Sequence, residues 1–135
     1  MLKGKLVHPD IMAALALCGH GDKVLIADGD YPLNARSGDA EKVYLGVTPG
    51  LPSVTDVLAA IQSVVEIEKA EVMEPGDGTT PDIFGEFTQM LDGMELDKID
   101  RFVFYDECGK ECVRLAISTG EKRTFANILI TIGVA

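Results

Sequence analysis

Basic residues are scarce in this 135-residue chain: 12 Lys and Arg stand against 22 Asp and Glu, a formal net charge of −10. No Lys/Arg stripe concentrates positive charge anywhere, so the chain repels a phosphate backbone and an anionic lipid surface alike. Nucleic acid and membrane are thereby disfavoured as partners, whereas an uncharged small molecule is indifferent to such a field. No apolar run approaches the roughly 18 residues of a membrane helix, and Met1 to Val7 lacks the apolar stretch of a signal peptide. Cysteine occurs three times, at Cys18, Cys108 and Cys112, an odd number at spacings that form no disulfide framework. Cys108 and Cys112 would need two further ligands to hold zinc, and His8 and His20 are far off in sequence. The thiols read as reduced, which points to the cytoplasm.

Several catalytic and binding signatures are also missing. Asp28, Asp30 and Asn34 loosely resemble calcium ligands, but Leu33 stands where an EF-hand loop needs Gly and Asp39 where it needs Glu. Gly19-His20-Gly21 lacks the Gly-Lys-Ser/Thr ending of a phosphate loop. There is no Gly-x-Ser-x-Gly nucleophile elbow, no internal repeat and no low-complexity linker.

What remains is a chain that is 47% hydrophobic, enough for one core in one domain spanning residues 1–135. A first helix is expected from Pro9 or Asp10 to Cys18, with Ile11, Leu15 and Cys18 at helical spacing and Gly19 as its stop. Lys23–Ala27 reads as a buried strand, followed by a Gly-, Pro- and Asp-rich loop from Asp28 to Gly38. A second strand is expected over Lys42–Leu45. Ser53-Val54-Thr55-Asp56 resembles a capping box opening an amphipathic helix with Val57, Leu58, Ile61 and Val65. Lys69–Met73 suggests a strand, and Glu74–Gly78 a turn. Thr80 is expected to cap a third helix carrying Ile83, Phe84, Phe87 and Leu91. Three strand-like runs close the chain: Ile99–Phe104, Val113–Ser118 and Ile128–Val134. The fold class is α/β, a mixed sheet covered by helices in three layers.

In such sheets ligands bind outside the carboxyl ends of strands, which draws attention to Asp28 directly after the first strand. His20, three residues before that strand, has the side chain best suited to acid–base work near neutrality; a capping or surface role is its bland alternative. Arg101, Tyr105 and Asn127 are polar side chains beside apolar strand residues. Asn127 equally suits a turn, and Tyr105 a strand end with a solvated hydroxyl.

Taken in series, His8-Pro9-Asp10, Cys18-Gly19-His20-Gly21-Asp22-Lys23-Val24 and Ala27-Asp28-Gly29-Asp30-Tyr31-Pro32 resemble the amino-terminal signature of the L-fucose mutarotase / D-ribose pyranase family. Thr119-Gly120-Glu121, Phe125-Ala126-Asn127-Ile128-Leu129 and Gly133-Val134 resemble its closing motif. Ile99 to Tyr105 is similar to the fucose branch. The resemblance implies a ring-shaped homo-oligomer, a homodecamer or homooctamer, with pockets near subunit contacts. It implies interconversion of anomers or ring forms of a free monosaccharide, L-fucose first, with no metal and no organic cofactor. By the same analogy His20, Asp28 and Tyr105 carry the proton transfers, while Arg101, Phe125 and Asn127 bind substrate. A non-catalytic sugar-binding or transport-accessory protein would use the same pocket. Phe125 stands where the family usually has Tyr, and the Asp106–Cys112 loop is slightly longer than in the fucose branch. The catalytic reading requires His20 and Asp28 to converge on one hydroxyl-lined cavity.

Overall fold

The run Ile128–Ile132 buries all five of its side chains, and a strand buried on both faces belongs inside a sheet. In the computed structural model, which describes residues 1–135, it does so as the last of six strands. These are β1 (Lys23–Ala27), β2 (Glu41–Tyr44), β3 (Ile67–Glu74), β4 (Asp97–Asp100), β5 (Val113–Ser118) and β6 (Ile128–Ile132), in the order β2-β5-β1-β6-β3-β4. β6 runs antiparallel to β1 and β3, and all other pairs are parallel. The first residues of β6 therefore lie beside the last residues of β1, with Ile128 opposite Ile26.

Side chains alternate across the sheet and define two cores. Val24, Ile26, Val72, Leu115, Ile117, Ile128 and Ile130 face α1 (Pro9–Leu17), α2 (Val54–Gln62) and α3 (Asp82–Met90). Leu25, Ala27, Met73, Ala116 and Leu129 face the opposite way, under α4 (Arg101–Cys108) and the loop that supplies Tyr31, Leu33 and Ala40. The result is the expected three-layer α/β domain. Its second outer layer is thin, one short helix plus one loop. That leaves the carboxyl ends of β1 and β3 open to solvent beside α4.

Most elements start where local chemistry says they should. His8 caps α1, its Nδ1 accepting from the Ile11 N–H at 3.3 Å. Ser53 and Asp56 form the reciprocal capping box of α2. Two assignments are corrected. Thr80 does not cap α3: Pro81 is the N-cap, and no side-chain cap bond forms. Proline fixes its own φ and favours extended backbone just before it, which leaves Thr80 one position too early. Ile99–Phe104 is not a strand either. β4 ends at Asp100, whose carboxylate accepts from the Phe102 N–H at 3.0 Å and starts α4 at once. Phe104 and Cys108, four residues apart, are fully buried, while Phe102 and Val103 are exposed. That is the spacing of a helix face, which a short apolar run does not reveal. The supposed loop Asp106–Cys112 accordingly begins inside α4.

Candidate functional site

Asp28 emerges from β1 into the gap beside the start of β6. Its backbone N–H donates to the Asn127 side-chain oxygen at 2.8 Å. Its own carboxylate accepts three backbone N–H groups: Asp30 at 3.1 Å and Tyr31 at 2.9 Å on one oxygen, Ala126 at 3.1 Å on the other. Burial, with only 2% of the residue exposed, pushes the Asp28 carboxyl above its ordinary value, and these three donors partly offset the shift. Three donors on two acceptor oxygens are what an ionised carboxylate satisfies best.

Asn127 spends its oxygen on Asp28, so its N–H₂ is the part left to donate. Phe125 holds a left-handed φ of 56°, unusual for an aromatic residue and a local strain of about 1–3 kcal/mol. This turn aims the Ala126 N–H at Asp28 while the Phe125 ring stays half-buried at the cavity. Across the gap, α4 supplies Arg101 and Tyr105 one turn apart, with Arg101 Nε donating to the Tyr105 hydroxyl at 3.2 Å. Asp28, Arg101, Tyr105, Phe125 and Asn127 thus line one open cavity of about 200 Å³, together with Asp30, Tyr31, Met73 and Thr124. That is below the roughly 300–1,000 Å³ usual for drug-sized ligands and suits a small polar molecule. A larger hollow of about 610 Å³ beside α3 holds only the exposed Glu95 and Lys98 as titratable groups. Volume alone does not identify the site.

His20 is elsewhere. It precedes β1, whereas Asp28 follows it, and five strand residues separate the two ends by about 17 Å. The His20 Nε2 lies 3.0 and 3.1 Å from the two carboxylate oxygens of Glu68, and both side chains are about half exposed. The expected convergence of His20 and Asp28 therefore does not occur within a single chain. A β-strand carries the residues before and after it to opposite ends of the sheet, however close they are in sequence.

Sequence reasoning missed Glu68, because it immediately precedes the expected strand and lies 48 residues from its histidine. It missed Tyr31 as a structural residue: only 7% exposed, its hydroxyl donates to the Arg36 carbonyl at 2.7 Å. The signal for Tyr31 was its place just beyond the Asx-turn that Asp28 makes with the backbone two residues on. Of the cysteines, Cys108 is buried and its thiol is pushed up to about 12, chiefly by desolvation. That is an inert thiol, not a nucleophile.

A buried carboxylate, an amide donor, a phenol and a guanidinium thus surround one small open cavity at the carboxyl end of the sheet of a three-layer α/β protein. Residues 1–135 match the RbsD / FucU transport protein family, and the chain belongs to it. The D-ribose pyranase of Paracidovorax citrulli is 33% identical, over 99% of this chain and 98% of its own length. The fucose mutarotase of Streptococcus pneumoniae, solved in complex with L-fucose, is 25% identical, with a TM-score of 0.81 over 96% of this chain and 94% of that one. Bacillus subtilis RbsD complexed with D-ribose shares the fold at a TM-score of 0.86 and 24% identity, over 100% and 99% of the two chains. The family thus includes sugar mutarotases and pyranases, and relatives bind monosaccharides.

Proposed function

We propose that this protein is a cofactor-independent mutarotase that opens and recloses the ring of a free monosaccharide, L-fucose before others. The carrying observation is the Asp28 cavity, where a buried carboxylate faces Arg101, Tyr105 and the Asn127 amide. Ring opening needs the anomeric hydroxyl to lose a proton while the ring oxygen gains one. The aldehyde then rotates and recloses, so no net proton is consumed. General acid–base catalysis of about 10²–10⁴-fold is useful acceleration for a reaction that already proceeds in water. In this reading Asp28 takes a sugar hydroxyl as acceptor, and Tyr105 serves one side of the ring. Arg101 and Asn127 donate to the remaining hydroxyls, and Phe125 stacks on the sugar's apolar face. Met73 and Phe125 offer apolar surface to the C6 methyl of L-fucose. D-ribose is the second reading, favoured by the name of the 33% identical relative; it has no such methyl.

His20 is the proton shuttle on the opposite side, oriented by Glu68. Since His20 and Asp28 sit at opposite ends of β1, the site is completed by a neighbouring copy in a closed, ring-shaped oligomer. The imidazole then needs no movement of the fold, only a docked subunit.

Saturation-transfer NMR on equilibrated L-fucose and D-ribose tests the chemistry. Transfer between anomeric protons should exceed the buffer rate, and His20→Ala and Asp28→Asn should each abolish it. Binding with exchange at the buffer rate would instead favour a sugar-binding protein. The composite site has its own test. Co-refolding the two dead variants in equal amounts should restore about a quarter of wild-type activity, as random mixing across shared interfaces requires. No restoration would overturn the shared site.

A further inference from the structure

Arg36 does not line the Asp28 cavity, yet its guanidinium lies over the Tyr105 ring, 5.1 Å from the centroid. The turn after Pro32 brings it there: the Ala35 and Arg36 N–H groups both donate to the Pro32 carbonyl, at 3.2 and 2.9 Å. The backbone is then pinned from below, because the Arg36 carbonyl accepts the hydroxyl of buried Tyr31 at 2.7 Å. Tyr31 itself meets Tyr105 edge-on, with centroids 5.6 Å apart and planes at 63°. Arg101 ties down the other end of the phenol, through its Nε at 3.2 Å from the hydroxyl.

Tyr105 is thus held by a closed circuit. One residue of the loop, Tyr31, touches its edge; a second, Arg36, covers its ring and is anchored by the first. Neither Arg36 nor Arg101 takes part in an ion pair, although acidic residues outnumber basic ones 22 to 12. Their charge is therefore not spent on a carboxylate. Of the two, Arg101 reaches the cavity and Arg36 does not, so the Arg36 guanidinium has the ring as its partner.

We infer that Arg36 is a positioning residue for Tyr105: its cation–π contact fixes the plane of the phenol and so the direction in which the hydroxyl meets the sugar. This rests on the role of Tyr105 proposed above. Productive geometry tolerates errors of only about 0.5 Å. Without Arg36 the ring keeps Tyr31, Phe102 and Arg101 as neighbours, the last also lying over it at 5.7 Å, so the phenol stays docked but tilts more, and its hydroxyl is in place for a smaller fraction of the time. Binding by Arg101 and Asn127 would persist, so the loss falls on turnover.

Two measurements test this. In wild-type protein the Arg36 δ-methylene protons should be shifted upfield by the Tyr105 ring current, and the shift should vanish in Tyr105→Leu. An unshifted signal in wild type overturns the contact. Polarimetric relaxation of a freshly dissolved anomer, over a range of concentrations, then separates kcat from KM. Arg36→Gln should lower kcat about three- to fivefold, the weight of an exposed cation–π contact, with KM unchanged; Arg36→Lys should restore part of it. In a Tyr105→Phe background Arg36→Gln should cost nothing more, since coupled residues do not add. Equal losses in both backgrounds, a loss on KM alone, or none at all would overturn the inference. Tyr105→Phe with full kcat would remove the assignment of Tyr105 itself, a result separable from an inert Arg36. Should Arg36→Gln fail to fold, the ring-current shift and Arg36→Lys still decide.

Discussion

Asp28 is asked to be buried and ionised at once, and its pH behaviour follows from that conflict. Burial raises its carboxyl above the ordinary 3.8, against the pull of three backbone N–H donors. If the ionised form accepts the sugar hydroxyl, activity rises with pH through that elevated value and then levels. Stability runs the other way. A carboxyl whose folded pKa is raised binds its proton more tightly when folded, so its contribution is full below the unfolded value and lost as pH rises through the folded one. Initial rates and the difference in thermal midpoint between wild type and Asp28→Asn, which isolates this one carboxyl from the others, should therefore show opposite slopes in one acid window. Asp28→Asn should flatten the stability slope. It should also cost about 1–3 kcal/mol, because an amide N–H₂ would confront either the Ala126 N–H or those of Asp30 and Tyr31. At this scale the sequence was informative where a residue's partners are close in the chain, as for Asp28 with Asp30 and Tyr31. It was silent on Glu68 and His20, whose meeting depends on how β1 and β3 are laid across the sheet.

The elements that carry the site are short, so their caps carry much of the placement. α4 has eight residues and directly follows β4, and the Asp100 carboxylate is its only side-chain cap. Asp100→Ala should cost about 1 kcal/mol of stability and, by loosening the first turn where Arg101 sits, also raise KM for sugar. Urea unfolding measures the first and initial rates over a range of sugar concentration the second. The start of α2 adds a remote group to its own capping box. Glu121, 6% exposed, accepts from the Val54 N–H at 3.2 Å and from Arg123 Nε at 2.7 Å. Burial raises its carboxyl, but the Arg123 and Val54 hydrogen bonds outweigh it and the net shift is downward. Such a group stabilises the fold above its unfolded value near 4.5, and the benefit is lost as pH falls through its lower folded value. Glu121→Gln should lower the thermal midpoint by roughly 3–10 °C at neutral pH, a gap that narrows in acid. Scanning calorimetry at several pH values decides it. Element type was legible wherever a run was long or buried on both faces, as in β6. It was illegible at Ile99–Phe104, where a strand of four residues turns into a helix without a break.

At the scale of the whole molecule, the layers are legible in the alternation of helices and strands, whereas the thin side is not. One eight-residue helix and one loop cover a face that three helices cover opposite. Phe102, Val103 and Arg101 are consequently exposed beside the cavity. If a neighbouring copy supplies His20, specific activity depends on concentration. On dilution below the assembly threshold, turnover per chain should fall in step with the oligomer fraction seen by sedimentation, while the far-UV spectrum of the chain persists. Constant turnover per chain through dissociation would mean that one copy suffices.

The place of β6 has a consequence for how the chain is born. It sits between β1 and β3, yet it is later in sequence than all five other strands. The ladders β2-β5-β1 and β3-β4 are each complete in themselves, but no backbone ladder joins the two halves until residues 128–132 lie between them. Ala126 and Asn127 arrive with that strand, so until it closes the Asp28 carboxylate has only its local Asp30 and Tyr31 donors, and its backbone N–H has no amide oxygen to meet.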